Sequence, residues 1–285
     1  MRPTKELLAV RPGVELDVQA CGEANAPTVV LISGAGAPAA FWPDSFVQRL
    51  TSPGLGVVRY DHRDTGRSTH FDDPYSIDEL LLDLQQLVAQ LGAERIHLVG
   101  HSMGGYLAQM ACLQGWPSLA SITSISAGSA VDEATRARLG ISSPDEAVWA
   151  ELMKNQTVGD CARDLPGWLA SWGFLNGSRP FDEDMATRYT RSLYRGDPRN
   201  AQVATNHIHA MSTVPPALAE GLPTARLPAL VLHGEEDPLV PIDNGQATAK
   251  LIADSTFHSL DGAGHMFFDP GAWDEIADRL LAFVV

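Results

Sequence analysis

The chain has 285 residues, 45 % hydrophobic and 19 % charged, which is ample for one large α/β domain or two small ones and too apolar for a disordered polymer. Its formal net charge of −15, from 20 Lys and Arg against 35 Asp and Glu, would repel phosphate backbones and anionic lipid surfaces, which argues against nucleic-acid and membrane partners. Cys21, Cys112 and Cys161 include no C-x-x-C pair and read as reduced, buried small hydrophobes; without a leader-like apolar region or a membrane-length apolar run, the expectation is a cytoplasmic protein.

Residues 7–10 and 14–20 flank Arg11-Pro12-Gly13, and Val14, Leu16 and Val18 alternate, which predicts an opening antiparallel hairpin. Residues 28–32 are β-branched and apolar enough for a strand buried on both faces, and run into a loop of small residues, Ser33-Gly34-Ala35-Gly36-Ala37-Pro38. A helix over 41–50 and a strand over 56–60 follow, and the strand ends in the polar turn Asp61-His62-Arg63-Asp64-Thr65-Gly66-Arg67-Ser68. Residues 76–91 predict a strong helix. Ser76 is placed to cap it with Glu79 three residues on, and Ile77, Leu80, Leu81, Leu84, Leu87, Val88 and Leu91 keep one face apolar. Residues 96–114, IHLVGHSMGGYLAQMACLQ, read as strand, sharp turn and helix with Ser102 at the apex, and 121–126 as the next strand.

Between about 128 and 226 the rhythm changes. No β-rich run appears, helical patterns fall at 144–155, 159–172, 182–194 and 201–211, and Trp149, Trp168, Trp172, Tyr189 and Tyr194 gather there. This predicts a helical cap, 128–226, inserted into a core made of 1–127 and 227–285, with Trp149, Trp168 and Trp172 as candidate substrate contacts. Strand, helix, strand and helix at 229–233, 246–252, 255–260 and 272–285 complete an α/β fold with a mostly parallel eight-stranded sheet covered on both faces.

In such a sheet the loops at the carboxyl ends of the strands share one edge, where ligands bind. Ser102 lies at one such end, and glycines two before and two after it let strand and helix approach closely. A nucleophilic serine needs a base and an orienting acid. The loop after 229–233 supplies Asp237, and the loop after 255–260 supplies His265. Glu235 and Glu236 compete with Asp237, which the Asp237-Pro238 turn favours. His62, His101, His207, His209, His233 and His258 compete with His265. His101 should point away from the turn, His258 sits inside a strand, and His207-Ile208-His209 lacks a third metal ligand and reads as part of a surface helix. The backbone N–H groups of Met103 and Ala35 are the candidate oxyanion donors, Gly34 and Gly36 letting the chain approach substrate.

The same glycine loop carries a rival signal. Gly34-x-Gly36-x-x-Ala39 after a strand, with Asp61 ending the next one, satisfies a relaxed dinucleotide fingerprint. Pro38 interrupts it, a hairpin precedes what should be the first strand, and the ordered Ser102, Asp237 and His265 go unexplained.

Together, GHSMGG at the Ser102 turn, DHRDTGRS at 61–68, GEEDPLVP and GAGH make the chain resemble the α/β-hydrolase superfamily over nearly its full length. The resemblance implies a Ser102, Asp237, His265 triad acting through an acyl-enzyme, with Asp61, Arg63, Gly66 and Ser68 as a structural turn beside it. Haloalkane dehalogenases and epoxide hydrolases differ in placing aspartate where Ser102 stands. More narrowly, Phe41-Trp42-Pro43-Asp44 and 59–69 look like the bacterial aclacinomycin methylesterase group, which cleaves a methyl ester on an anthracycline polyketide; the departures lie in the cap. The expected enzyme is a serine hydrolase of a carboxylic ester on a moderately large apolar small molecule, with no metal or organic cofactor. Lactone hydrolysis or C–C cleavage by the same triad, and a non-catalytic ligand receptor on the same fold, stand as alternatives.

Overall fold

The computed structural model describes residues 4–23, 26–144, 146–155, 157–195 and 200–285, the side chains of 200–204 excepted. Eight segments form its strands: β1 (Thr4–Arg11), β2 (Val14–Cys21), β3 (Thr28–Ile32), β4 (Gly56–Tyr60), β5 (Ile96–His101), β6 (Leu119–Ile125), β7 (Ala229–Gly234) and β8 (Ser255–Leu260). They make one sheet of order β1-β2-β4-β3-β5-β6-β7-β8. The pairs β1–β2 and β2–β4 are antiparallel and the others parallel, so all strands from β3 onward end at one edge.

The two-residue period of the strands divides the interior into two cores. Val30, Ile32, Val58, Ile96 and Leu98 face α2 (Ile77–Leu91, after α1) and α3 (Met103–Gln114). Val29, Leu31, Val57 and Val99 face α1 (Asp44–Thr51) and the carboxyl-terminal helix. Leu84 and Leu87 on α2, and Leu50 on α1, are fully enclosed, and burying each is worth about 1.5–3 kcal/mol. The helix α3 is enclosed nearly all round from Met103 to Cys112, which is why its sequence shows no polar face.

Between β6 and β7 run α4 (Glu133–Leu139), α5 (Glu146–Leu152), α6 (Cys161–Leu175), α7 (Glu183–Leu193), α8 (Asn200–Ser212) and α9 (Ala217–Gly221); α10 (Ile242–Leu251) and α11 (Pro270–Val284) follow. Aspartates begin several of them: Asp160 accepts from the Ala162 and Arg163 N–H groups, Asp182 from that of Met185, and Asp269 from those of Gly271 and Ala272. Among the described residues no helix is long and apolar enough to cross a membrane.

Three local expectations need correction. The helix expected over 41–50 is a short 3₁₀ turn, Ala39–Phe41, followed by α1, because Pro43 is the residue before α1 and favours an extended entry. The Ser76 side chain makes no cap; the Ile77 N–H instead donates to Thr213 Oγ1 at 2.8 Å, while Glu79 is engaged by Arg11 at 2.7 Å and Arg63 at 3.4 Å. The helix expected over 246–252 starts at Ile242, behind Pro241.

Candidate active site

The turn between β5 and α3 places Ser102 at φ 52°, ψ −118°, a conformation that non-glycine residues occupy only when their surroundings enforce it. Those surroundings are backbone. The Ser102 N–H donates to Ile125 O at 2.9 Å, and its carbonyl accepts from Gly105 N–H at 2.8 Å. A Cβ on Gly100 would stand 2.0 Å from Gly104 O, and one on Gly104 would stand 2.2 Å from Ile32 O. Only glycine fits at either position, and the serine is lifted over the contact between strand and helix.

Asp237 and His265, 28 residues apart, meet at the same sheet edge. His265 Nδ1–H donates to Asp237 Oδ2 at 2.8 Å. The other carboxylate oxygen accepts from the N–H groups of Leu239 at 2.9 Å and Val240 at 2.8 Å, which fixes its plane. Burial pushes the Asp237 carboxyl up, but His265, His233 and the Val240 N–H pull harder the other way, so it stays ionised below its ordinary range. With Nδ1–H committed to Asp237, the His265 lone pair is on Nε2. Glu235 and Glu236 are exposed, and Glu236 is spent on Ser178.

His265 also sits beside the Ser102 turn. The His101 ring lies 4.9 Å from the His265 ring, and His101 Nε2–H donates to the His265 carbonyl at 2.8 Å. His101, stacked on Phe41 at 4.4 Å, is pushed down to about 3 by burial and is neutral at working pH. It therefore serves as a wedge between the loops.

Loop 33–38 closes the other side of Ser102: a Cβ on Gly34 would be 3.2 Å from Ser102 Cβ. Its Ala37 N–H donates to Gly34 O at 3.2 Å, and the Ala39 N–H beyond it to Asp61 Oδ1 at 2.7 Å. Neither the Ala35 nor the Met103 N–H has a hydrogen-bond partner among the described residues, and Ala35 is exposed while Ser102 is partly exposed. The nucleotide-like fingerprint is thus absorbed: the Asp61 carboxylate accepts from the Ala39 N–H and packs against Gly66, and the loop enters a 3₁₀ turn instead of a helix.

The remaining histidines fall in several environments. His258 is half-buried in β8. His233 is enclosed, donating from Nε2 to Val240 O at 2.7 Å and standing 3.6 Å from Asp237 Oδ2. His209 is exposed, whereas His207, expected on a surface helix, is fully buried; it occupies the inner side of α8 between core loops. Among the described residues no group of three or more His, Cys, Asp or Glu is arranged to hold a metal ion.

The three tryptophans expected to meet substrate take different positions. Trp168 and Trp172 stack at 4.8 Å; the Trp172 indole N–H donates to Thr190 Oγ1 at 2.8 Å and that of Trp168 to Tyr194 OH at 2.9 Å, so both fasten α6 to α7 and its end. Trp149 is 53 % exposed.

A mostly parallel sheet with a serine on a strained strand-to-helix turn, and an aspartate and a histidine joined on later loops of the same edge, defines a hydrolase of the α/β type. The chain belongs to the alpha/beta hydrolase family, whose model matches residues 29–279. It is 31 % identical to rhodomycin D methylesterase DauP from Streptomyces sp. (strain C5), over 85 % of both chains. It is 30 % identical to rhodomycin D methylesterase DnrP from Streptomyces peucetius, with the same coverage. The solved structure of a hydrolase from Pseudomonas aeruginosa PA01 superposes with a TM-score of 0.75 at 22 % identity, covering 98 % of each chain, and shares the fold. The resemblance to a methylesterase group read from 41–44 and 59–69 is thereby borne out.

Proposed function

We propose that the chain is a serine esterase that cleaves a carboxylic ester of a moderately large apolar small molecule, with Ser102 as nucleophile, His265 as base and Asp237 as orienting acid. The observation that carries this reading is the 2.8 Å bond from His265 Nδ1 to a buried, ionised Asp237 beside the strained Ser102 turn. That bond leaves Nε2 as the proton acceptor and stabilises the imidazolium formed when it accepts.

His265 Nε2 takes the Ser102 proton as Oγ attacks the ester carbonyl. The oxygen that gains negative charge is held by the Ala35 and Met103 N–H groups, helped by the positive end of α3. Collapse breaks the bond to the leaving alkoxide, which receives the proton from His265 and departs as alcohol. Water then attacks the acyl-enzyme by the same route, releasing the acid and restoring Ser102. The named methylesterase relatives favour a methyl ester of a polyketide-sized acid, with segment 128–226 acting as a cap that selects the acyl group.

The test is hydrolysis of nitrophenyl esters, then of a panel of methyl esters, lactones and diketones, by wild type and Ser102→Ala. Wild-type turnover of esters, with Ser102→Ala folded and inactive, is expected. Normal turnover by folded Ser102→Ala would sink the assignment, and a preference for lactones or diketones would replace the ester.

A further inference from the structure

His207 has both ring nitrogens engaged in the interior. Its Nδ1 accepts from the Gly36 N–H at 2.7 Å, and its Nε2–H donates to the Arg63 carbonyl at 3.1 Å. A backbone N–H can only donate and a carbonyl can only accept, so the partners select one species: the neutral ring with its proton on Nε2. Burial also pushes His207 down to about 4, in agreement.

The position of this ring joins three parts of the molecule. It comes from α8, whose neighbouring Asn206 donates to Asp64 Oδ2 at 2.9 Å and to Phe71 O at 3.1 Å, so the inner side of that helix is seated on the turn after β4. It packs edge-on against His62 at 5.9 Å and near Tyr75 at 6.3 Å. His62, fully buried as well, donates from Nε2–H to Ser33 O at 3.1 Å, so two histidines hold loop 33–38 at successive points. Gly36 is at φ +69°, a conformation with little intrinsic restraint in glycine; the Ala37-to-Gly34 bond closes the turn around it, and the His207 bond fixes which way its peptide N–H points.

We propose that His207 is a positioning residue for the oxyanion site: by holding the Gly36 N–H it turns the preceding Ala35 N–H toward the reacting carbonyl and ties α8 to catalysis. This rests on the esterase reading above. The Gly36 amide is consumed by the ring and cannot serve as the donor, which leaves Ala35 to that task. A helix of the 128–226 segment thereby reaches the chemistry through a single side chain. Displacing α8 loosens the donor without touching Ser102, Asp237 or His265.

The decisive comparison is His207→Leu against His207→Asn. Leucine keeps bulk and removes the acceptor, whereas asparagine places an amide oxygen near the former Nδ1. His207→Leu should lower kcat about 10–100-fold on a nitrophenyl ester with KM nearly unchanged, since a donor misplaced by about 1 Å weakens the transition state more than the ground state. His207→Asn should recover most of that loss. In wild type, the Gly36 amide should exchange with deuterium far more slowly than that of Ala35, and in His207→Leu the two should become alike. The exchange measurement on wild type needs no variant to fold.

If Ser102→Ala is inactive while His207→Leu keeps wild-type kcat, or if Gly36 and Ala35 exchange equally fast in wild type, the positioning role is wrong and the esterase reading stands. Equal losses in kcat for the Leu and Asn variants also count against it. If Ser102→Ala turns over normally, the esterase reading fails and takes the oxyanion role of His207 with it.

Discussion

Arg63 and Asp83 form a two-pronged ion pair in the interior, Nε to Oδ2 at 2.7 Å and Nη2 to Oδ1 at 2.8 Å, with each side chain only 3 % exposed. Phe71 and Tyr75 flank the guanidinium, each ring centroid 4.7 Å from it. The pair joins the turn after β4 to α2, and the carbonyl of the same Arg63 receives the His207 proton. Removing one partner strands the other charge in the core, which costs about 3–5 kcal/mol. Arg63→Met should fall at the low end, about 3 kcal/mol, because Arg11 remains 3.3 Å from Asp83. Urea unfolding checks it. Adding Asp83→Leu should return a large part of the loss; a double variant as unstable as the sum of the singles would show that the charges are not coupled.

Glycines in similar local settings should differ sharply in tolerance. A Cβ at Gly104 meets the Ile32 carbonyl at 2.2 Å, and a backbone oxygen of a central strand has nowhere to go. Gly104→Ala should lose about 3 kcal/mol or more, or fail to accumulate. Gly115, at the end of the same helix, has φ +64° and open space around it. Gly115→Ala should cost only the left-handed backbone penalty, about 1–2 kcal/mol. Thermal melts of the two variants would show whether close approach or backbone conformation dominates.

The sheet is legible because β3 carries a near-continuous apolar run, β2 alternates with a period of two, and turn residues bound each segment; the sequence predicts all eight strands, most within two residues of their bounds. The meeting of Asp237 and His265 was legible too, since parallel strands must end at one edge. Helix α4 is not legible from the pattern because EATRARL has almost no apolar period; its signals are Asp132, which accepts from the Thr135 N–H, and Gly140 in the left-handed region. The Ser76 capping box is absent from the fold because arginines distant in sequence claim Glu79. His207 reads as a surface residue because His207-Ile208-His209 shows no third ligand and no apolar period that would mark an inner face. Thr205, Ile208 and His209 are exposed, and only the three-dimensional seat of α8 turns the polar pair Asn206 and His207 inward.

Acid should destabilise the fold earlier than carboxylate titration alone would. Burial pushes His62 and His101 down to about 3, and His97 and His207 to about 4, against about 6.5 in an unfolded chain. Below 6.5 the unfolded state binds protons that the folded state refuses, so these groups contribute stability that is present above 6.5 and lost as pH falls toward 3–4. Each contributes a loss of at most about 1.4 kcal/mol per pH unit. Asp61, raised to about 6 mainly by burial, works the other way: its contribution is greatest below its unfolded value of 3.8 and is lost as pH rises through 6. Asp83, also raised by burial, acts in the same sense as Asp61, while His233 and His258, lowered by burial, join the other histidines. Six histidines outweigh two aspartates, so the urea midpoint should drop steadily from pH 7 to pH 5. A midpoint constant over that range would mean that the histidines are accessible to protons in the folded state.

Asp237→Asn separates tautomer control from charge in a way the local hydrogen bonds make specific. Asp237 Oδ1 is held by the Leu239 and Val240 N–H groups, so an asparagine would keep its carbonyl oxygen there and turn its NH₂ toward His265. Two donors would then face each other across a contact now 2.8 Å long. The ring escapes the clash by moving its proton to Nε2, which leaves no lone pair for the Ser102 hydroxyl. The expected result is a fall in kcat of about 10⁴-fold with little change in KM, the size seen when a triad aspartate loses its carboxylate. Stability should change much less than activity, because the backbone contacts to Oδ1 survive. A loss below tenfold in a folded variant would mean that His265 does not depend on Asp237 for its tautomer, and that His233, 3.6 Å from the same oxygen, or another group orients the base.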